Sequence, residues 1–363
     1  MSDFAAAPFS SAAPVFSVAG STEGRLGRDL LRLDIREGTL GLRTLVAHFS
    51  AIPPDSDGST EQLSYLDGQV LDLGTTLTVT IGPAAGERKI FQGAVSALEV
   101  CFEEGAVPYV SVFAEDSLMR LRMTTRTATY ADKSDADVVK AVATEHGLQA
   151  QTDVDGPTYG VIQQWEQSDL AFLRDRAQRI NAELWVDSAD VIHLAGRERR
   201  PGAELTLVQG NELIGLTARA DVAHQRPAVE VRGWDHDAVR AITKTSDRSA
   251  VTAEITSGRS GVEIVSKVFA KASISRARRD VLDQATADAY ADAELLRRAR
   301  SFVTVNGTTA GTPDLLPGAK LDLRRVGRPF EGSGYRVVHA HHSYDLTTGY
   351  RTRFRAERPA IAV

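Results

Sequence analysis

The chain has 363 residues, 42% of them hydrophobic and 25% charged, with a formal net charge of −6. That length suits two or three domains of ~100–200 residues, the composition excludes disorder along the whole chain, and the acidic balance argues against a surface that neutralises a run of phosphates, so no nucleic-acid partner is expected. Cys101 is the single cysteine, which rules out an intramolecular disulfide framework and a cysteine-rich zinc site. No stretch approaches the ~20 apolar residues of a membrane span, and no Lys or Arg precedes Arg25, as a secretory signal would require. The expectation is a chain folded in the cytoplasm, without direct membrane insertion.

Residues 1–25 open with an aperiodic Ala-, Ser- and Pro-rich stretch and read as a flexible N-terminal arm. Leu31, Leu33 and Ile35 then alternate with Arg32, Asp34 and Arg36, the period of a half-buried strand. Further strands are predicted at Leu40–Phe49, Thr76–Ile81, Ile90–Val100 and Tyr109–Phe113. Strands of this length, separated by Gly and Pro turns, point to a small antiparallel barrel or sandwich over residues 26–128. The period changes in residues 129–203. Ser134 and Asp137 resemble a capping box, Val138, Val139, Val142 and Ala143 form a helical stripe, and Gly147 supplies the stop. A second helix runs from Ser168 to Asn181, and Leu184–Val186 with Val191–Leu194 form a hairpin around Asp187–Asp190. Residues 204–363 return to strands at Leu205–Val208, Ala228–Arg232, Lys320–Arg325, Tyr335–His342 and Tyr350–Glu357. A helical or irregular insert occupies roughly residues 235–305, with a long helix whose Leu282, Ala285, Ala289, Ala293, Leu296 and Ala299 share one face. The fold class is α+β and β-dominated, with two β units bracketing a smaller α+β unit.

Chemistry is scarce. No Walker loop, dinucleotide fingerprint, nucleophile elbow or paired-His zinc helix occurs, so no catalytic residue, cofactor site or metal site is assigned. His339 and His341 share a strand face, but with His342 they read as ordinary strand residues, because a structural zinc wants four ligands. Cys101 reads as a buried small hydrophobe. The carboxylates of Glu103-Glu104 and Asp235-His236-Asp237 read as solvated turns; a cell-wall-acting hydrolase using an unrecognised carboxylate pair is the alternative function. Arg351, Arg353 and Arg355 lie opposite Tyr350, Thr352 and Phe354 on the final strand. They form either a charge-guarded sheet edge, the preferred reading, or a docking face for an acidic partner.

Several segments in this order resemble the late control protein D family of contractile phage tails, which includes the hub part of type VI secretion spike proteins. The matching residues are Phe91-Gln92-Gly93-Ala94-Val95, Ala114-Glu115-Asp116-Ser117-Leu118 with Arg120-Leu121, and Arg126-Thr127. They continue through Gln164, Glu166, Ser168, Asp169, Phe172-Leu173, Arg176-Ala177 and Val231–Asp235, where the family often has Pro at the position of His236. The densest match is Gly311, Pro313, Leu316-Pro317-Gly318, Tyr335, Val337, His342, Gly349-Tyr350 and Phe354. The resemblance implies two related antiparallel β-barrel domains and a homotrimer that serves as the baseplate hub of a phage tail or contractile injection system. As partners it implies a spike protein and an inner tube protein, with tube-initiator or baseplate proteins around them. The chain ends at Val363, soon after the second β unit, so the spike is expected to be a separate protein. The family offers no catalytic residues to carry over.

Overall fold

The computed structural model describes residues 13–53, 63–82, 87–235, 238–255, 257–269, 275–278 and 283–362. The first part of the chain supplies β1 (Val15–Val18), β2 (Ser21–Thr22), α1 (Gly24–Asp29), β3 (Leu30–Gly38), β4 (Thr44–Ser50), β5 (Thr76–Ile81), β6 (Arg88–Cys101) and β7 (Tyr109–Glu115). The middle adds α2 (Met119–Met123), β8 (Thr125–Ser134), α3 (Asp135–Glu145), β9 (Gln149–Asp153), β10 (Thr158–Ser168), α4 (Asp169–Arg179), β11 (Ala182–Val186) and β12 (Val191–Gly196). Next come β13 (Glu204–Val208), β14 (Leu213–Ala220), β15 (Val229–Asp235), β16 (Arg240–Ser246), α5 (Arg248–Thr252), β17 (Arg259–Ser260), α6 (Gly261–Val268), β18 (Ser275–Arg278) and α7 (Gln284–Arg300). The chain closes with β19 (Val303–Thr309), β20 (Lys320–Arg324), β21 (Gly332–Asp345), β22 (Gly349–Arg358) and β23 (Ala360–Ile361).

The expected β-dominated α+β class holds, and the large sheets are antiparallel except for the parallel β13–β20 pair in the main one. That main sheet joins 13 strands, running β14-β19-β22-β21-β3-β4-β7-β6-β5-β1-β2, with β13 and β20 branching from β21. Alternation places Leu33, Ile35, Leu45, Phe49, Leu77, Phe91 and Val112 in a first core, and Leu207, Val305, Leu323, Tyr335, Val337 and Phe354 in another. The two β units are therefore fused into one sheet at the β21–β3 seam. Tyr350, from the penultimate strand, belongs to the first core. Gly93 of β6 shows how tight this packing is. A Cβ there would sit 2.2 Å from the Glu115 carbonyl oxygen, closer than any real contact, so only glycine lets β6 lie on β7. Gly311 combines φ +102° with a Cβ position 2.4 Å from the Tyr350 ring, and both constraints demand glycine.

The middle core is built from Val138, Val139 and Val142 of α3, Leu170, Phe172 and Leu173 of α4, and Leu184, Ile192 and Leu194 of the hairpin. Both N-caps form as the sequence predicts. Ser134 and Asp137 make the reciprocal box, and the Ser168 hydroxyl accepts from the Ala171 amide. Gly147 and Asn181 take positive φ just after the two helices.

Four expectations need correction. The N-terminal arm does not extend to residue 25: β1 pairs with β5, and Phe16 and Leu26 are buried in the first core, because their apolar side chains gain more by burial than the chain loses by ordering; residues 1–12 lie outside the described residues. Of the expected face of α7, Ala293 and Ala299 are buried, but the burial is completed by Ala287, Tyr290, Ala291 and Leu295, whereas Ala285 is exposed and Ala289 and Leu296 are half-buried; Leu282 lies outside the described residues. Cys101 is half-buried rather than buried, its thiol 3.2 Å from Glu99 Oε1. Finally, β22 is not a sheet edge, because β19 and β21 pair along its two sides.

Candidate docking face

β21 and β22 present two chemically distinct surfaces. Tyr350, Thr352, Phe354 and Ala356 point into the cores and are buried, while Arg353 and Arg355 are exposed and Arg351 half-buried. The period-two reading of the arginines therefore places them on the outer face. That face continues across the seam. Cross-strand register sets Arg353 beside His341 and His341 beside Arg36 of β3, and sets Arg355 beside His339. Among the described residues Arg36, Arg353 and Arg355 have no carboxylate partner. Arg351 donates to the Tyr350 carbonyl at 3.1 Å.

The histidines divide between the two surfaces. His341 Nε2 lies 2.7 Å from Asp34 Oδ1, and Arg32 Nε donates to the same carboxylate at 2.6 Å. Burial works against the charge of Asp34, yet these bonds hold its carboxyl well below the usual range. Partial desolvation, reinforced by the charges of His341, Arg36 and Arg355, lowers the affinity of His339 for a proton. His342 faces inward, its Nδ1 2.8 Å from the Tyr350 hydroxyl, and burial pushes it down to about 3. Among the described residues no group of three His, Cys, Asp or Glu side chains could hold a metal.

A groove of about 440 Å³ opens on the outer face between β14, β19 and β22. Arg353, Arg355, His339 and His341 contribute to its walls, Gly215 leaves room in it, and Leu216 and Phe354, whose side chains pack into the core, lie beneath. The face is thus a cationic surface with a recess beside its arginines.

Behind the sheet lies a second polar assembly, which the sequence did not disclose. Glu37 Oε1 accepts from Arg200 Nη2 at 2.8 Å and its Oε2 from Arg43 Nε at 2.8 Å, while Arg200 also reaches Glu183 at 3.3 Å. Arg336 donates to the carbonyls of Arg197 and Arg200, and Arg197 to Glu357. These residues come from both β units and the middle unit. Asp116 accepts from the Arg43 and Leu118 amides at 2.7 and 3.0 Å, and burial pushes its carboxyl up to about 7. It is 6% exposed, which leaves no room for a substrate.

The remaining sequence candidates are dispersed. Glu103 and Glu104 are exposed in the β6–β7 turn, Asp235 pairs with Arg240, and His236 and Asp237 lie outside the described residues. The polar residues Arg126, Gln164, Asp169 and Arg176 in the family motifs are internal ties: Asp169 accepts from Arg126 and Gln164 at 2.8 Å each, and Arg176 from α4 donates to Asp135 at 2.5 Å. The β8–β10 ribbon leaves Val161 and Trp165 exposed; polar alternation in β8 hid it from sequence reasoning.

The fused double-unit sheet defines the chain as having a tail-protein fold. It superposes on the 43 kDa tail protein of prophage MuSo2 from Shewanella oneidensis with TM-score 0.68 and 13% identity, covering 96% of this chain and 98% of that one. A tail protein from Neisseria meningitidis MC58 gives 0.64 at 13%, covering 95% and 96%. An Escherichia coli component of the type VI secretion system, described as similar to T4 tail proteins gp27 and gp5, gives 0.54 at 12%, covering 90% and 73%. By sequence the chain belongs to the family described as Alg8 N-terminal domain, whose model matches residues 47–345. No curated protein matches it.

Proposed function

We propose that the chain is the structural baseplate hub of a contractile phage tail or a phage-derived injection system. In this reading it is a late-control-D-like homotrimer that joins a spike protein to the inner tube and adapts threefold to sixfold symmetry. The observation that carries it is the fold likeness over 96% of this chain to a prophage tail protein. Two β units in one sheet support it further, since three copies would present six such units.

The reading includes no catalysis. A hydrolase with paired carboxylates needs them facing each other across an accessible cleft. Here Glu103 and Glu104 lie in a solvated turn, and the buried Glu37, Asp135 and Asp169 are each engaged by arginine. Native mass spectrometry of the protein, alone and with its spike and tube proteins, should give three copies. A stable monomer in the presence of both would overturn the hub reading, and peptidoglycan hydrolysis lost on changing one carboxylate would overturn the non-enzymatic part.

A further inference from the structure

Like charges on neighbouring strands repel, and a fold that keeps them without local compensation carries a cost. Arg353 and Arg355 on β22, with Arg36 one strand further on beyond His341 of β21, are such a set on one face. The usual reason for charges on a strand is to guard an unpaired edge, but β22 is paired on both sides. Their cost is recovered if an anionic surface covers them.

The same chain carries a matching surface. The β6–β7 hairpin tip exposes Phe102 at 61% and Val107 at 60%, with Val100 at 38%. Glu99, Glu103 and Glu104 are their neighbours in sequence, all exposed and none in an ion pair among the described residues. Glu99 accepts from the Cys101 thiol and Glu103 from the Tyr109 hydroxyl, so both carboxylates are already oriented. The tip cannot reach the arginine face of its own chain. The strand order β6-β7-β4-β3-β21-β22 puts Arg36 of β3 three strand spacings away and Arg353 and Arg355 five, about 14 and 24 Å along the sheet at ~4.8 Å each.

We propose that the β6–β7 tip of one copy docks on the outer face of the next copy, with Phe102 entering the groove between Arg353 and Arg355 and Glu99, Glu103 and Glu104 pairing with Arg36, Arg353 and Arg355. An aromatic anchor in a recess ringed by charge is the usual composition of a binding hot spot, and guanidinium groups beside an aromatic ring add a cation–π contribution. The contact joins different patches on the two copies, so it is heterologous and propagates around a ring. It deepens the trimer reading and rests on it.

The test compares assembly of the wild type, R353E/R355E, F102A, E99K/E103K/E104K and the combined five-residue charge swap, by native mass spectrometry and sedimentation over a concentration series. Circular dichroism and melting check each fold first; F102A alters an exposed side chain and serves if a charge variant misfolds. R353E/R355E, E99K/E103K/E104K and F102A should each raise the concentration for half-assembly by about tenfold or more, and the combined swap should recover most of that loss, the unchanged Arg36 then facing a lysine. Trimers undiminished in the variants, or a combined swap no better than its parents, would overturn this contact while the hub reading stands. A wild type that stays monomeric with spike and tube present would remove the hub reading and this contact together.

Discussion

The two sides of the seam sheet use arginine in opposite ways. Behind it Arg200 is 5% exposed, paired with Glu37 and Glu183, and stacked 4.6 Å over Trp185. In front, Arg36 is the chain neighbour of Glu37, yet it is exposed and, among the described residues, without a carboxylate partner. One step along a strand separates a charge that fastens three cores from a charge available to a partner. The difference lies in solvation. A buried guanidinium must have its carboxylates, whereas an exposed one stays hydrated until something displaces the water.

That contrast can be broken from behind with the largest effect. Arg200→Ala strands the buried Glu183 and leaves Glu37 with Arg43 alone, and should cost about 3–5 kcal/mol, read as a drop in the denaturation midpoint. An unchanged midpoint would show that the junction does not fasten the units.

The pH dependence sharpens the comparison at intermediate size. His342, held near 3 by burial, is neutral when folded and takes up a proton on unfolding, so its contribution is full above about pH 6.5 and is lost as pH falls towards 3. Asp116, raised to about 7, keeps its proton in the fold, so its contribution is full below about pH 4 and is lost as pH rises to 7. The two slopes oppose each other across pH 4–6.5, each about 1.4 kcal/mol per unit. Asp116→Asn should therefore steepen the acid loss of stability and His342→Gln should flatten it, measured as midpoint against pH. Parallel profiles for the two variants would contradict this assignment.

The smallest effect belongs in front. Changing Arg351, Arg353 and Arg355 together to Glu should leave the isolated chain folded, with each substitution within ~0.5 kcal/mol. A loss comparable to that of Arg200→Ala would mean that the outer face is a structural element of the monomer.

Much of the second unit was legible because its strands alternate cleanly. Tyr350, Thr352 and Phe354 against Arg351, Arg353 and Arg355 fix which side faces the core without knowledge of the neighbours. What alternation cannot reveal is pairing. β22 looked like an edge because its partners are set by contacts distant in sequence, and period two is identical for edge and interior strands. The stripe on α7 was misplaced for another reason. Alanines occupy several faces of that helix, so their spacing selects none, and Tyr290 with Leu295 decides the buried side. The junction was hidden because Glu37, Glu183 and Arg200 meet only when three units have docked.

The seam also sets the order in which the molecule can be completed. Asp34 meets His341 across 307 positions of chain, and the first core is closed by Tyr350. At a synthesis rate of ~5–20 residues per second, the ribosome needs roughly 15–60 s after making β3 to deliver β21 and β22. During that interval the flank of β3 that will pair with β21 stays open, with Leu33 and Ile35 short of their last apolar neighbour. An unpaired strand beside an unfinished core is a template for pairing with other nascent chains. High-level expression at elevated temperature should therefore favour inclusion bodies, and slower synthesis should raise the yield of folded protein.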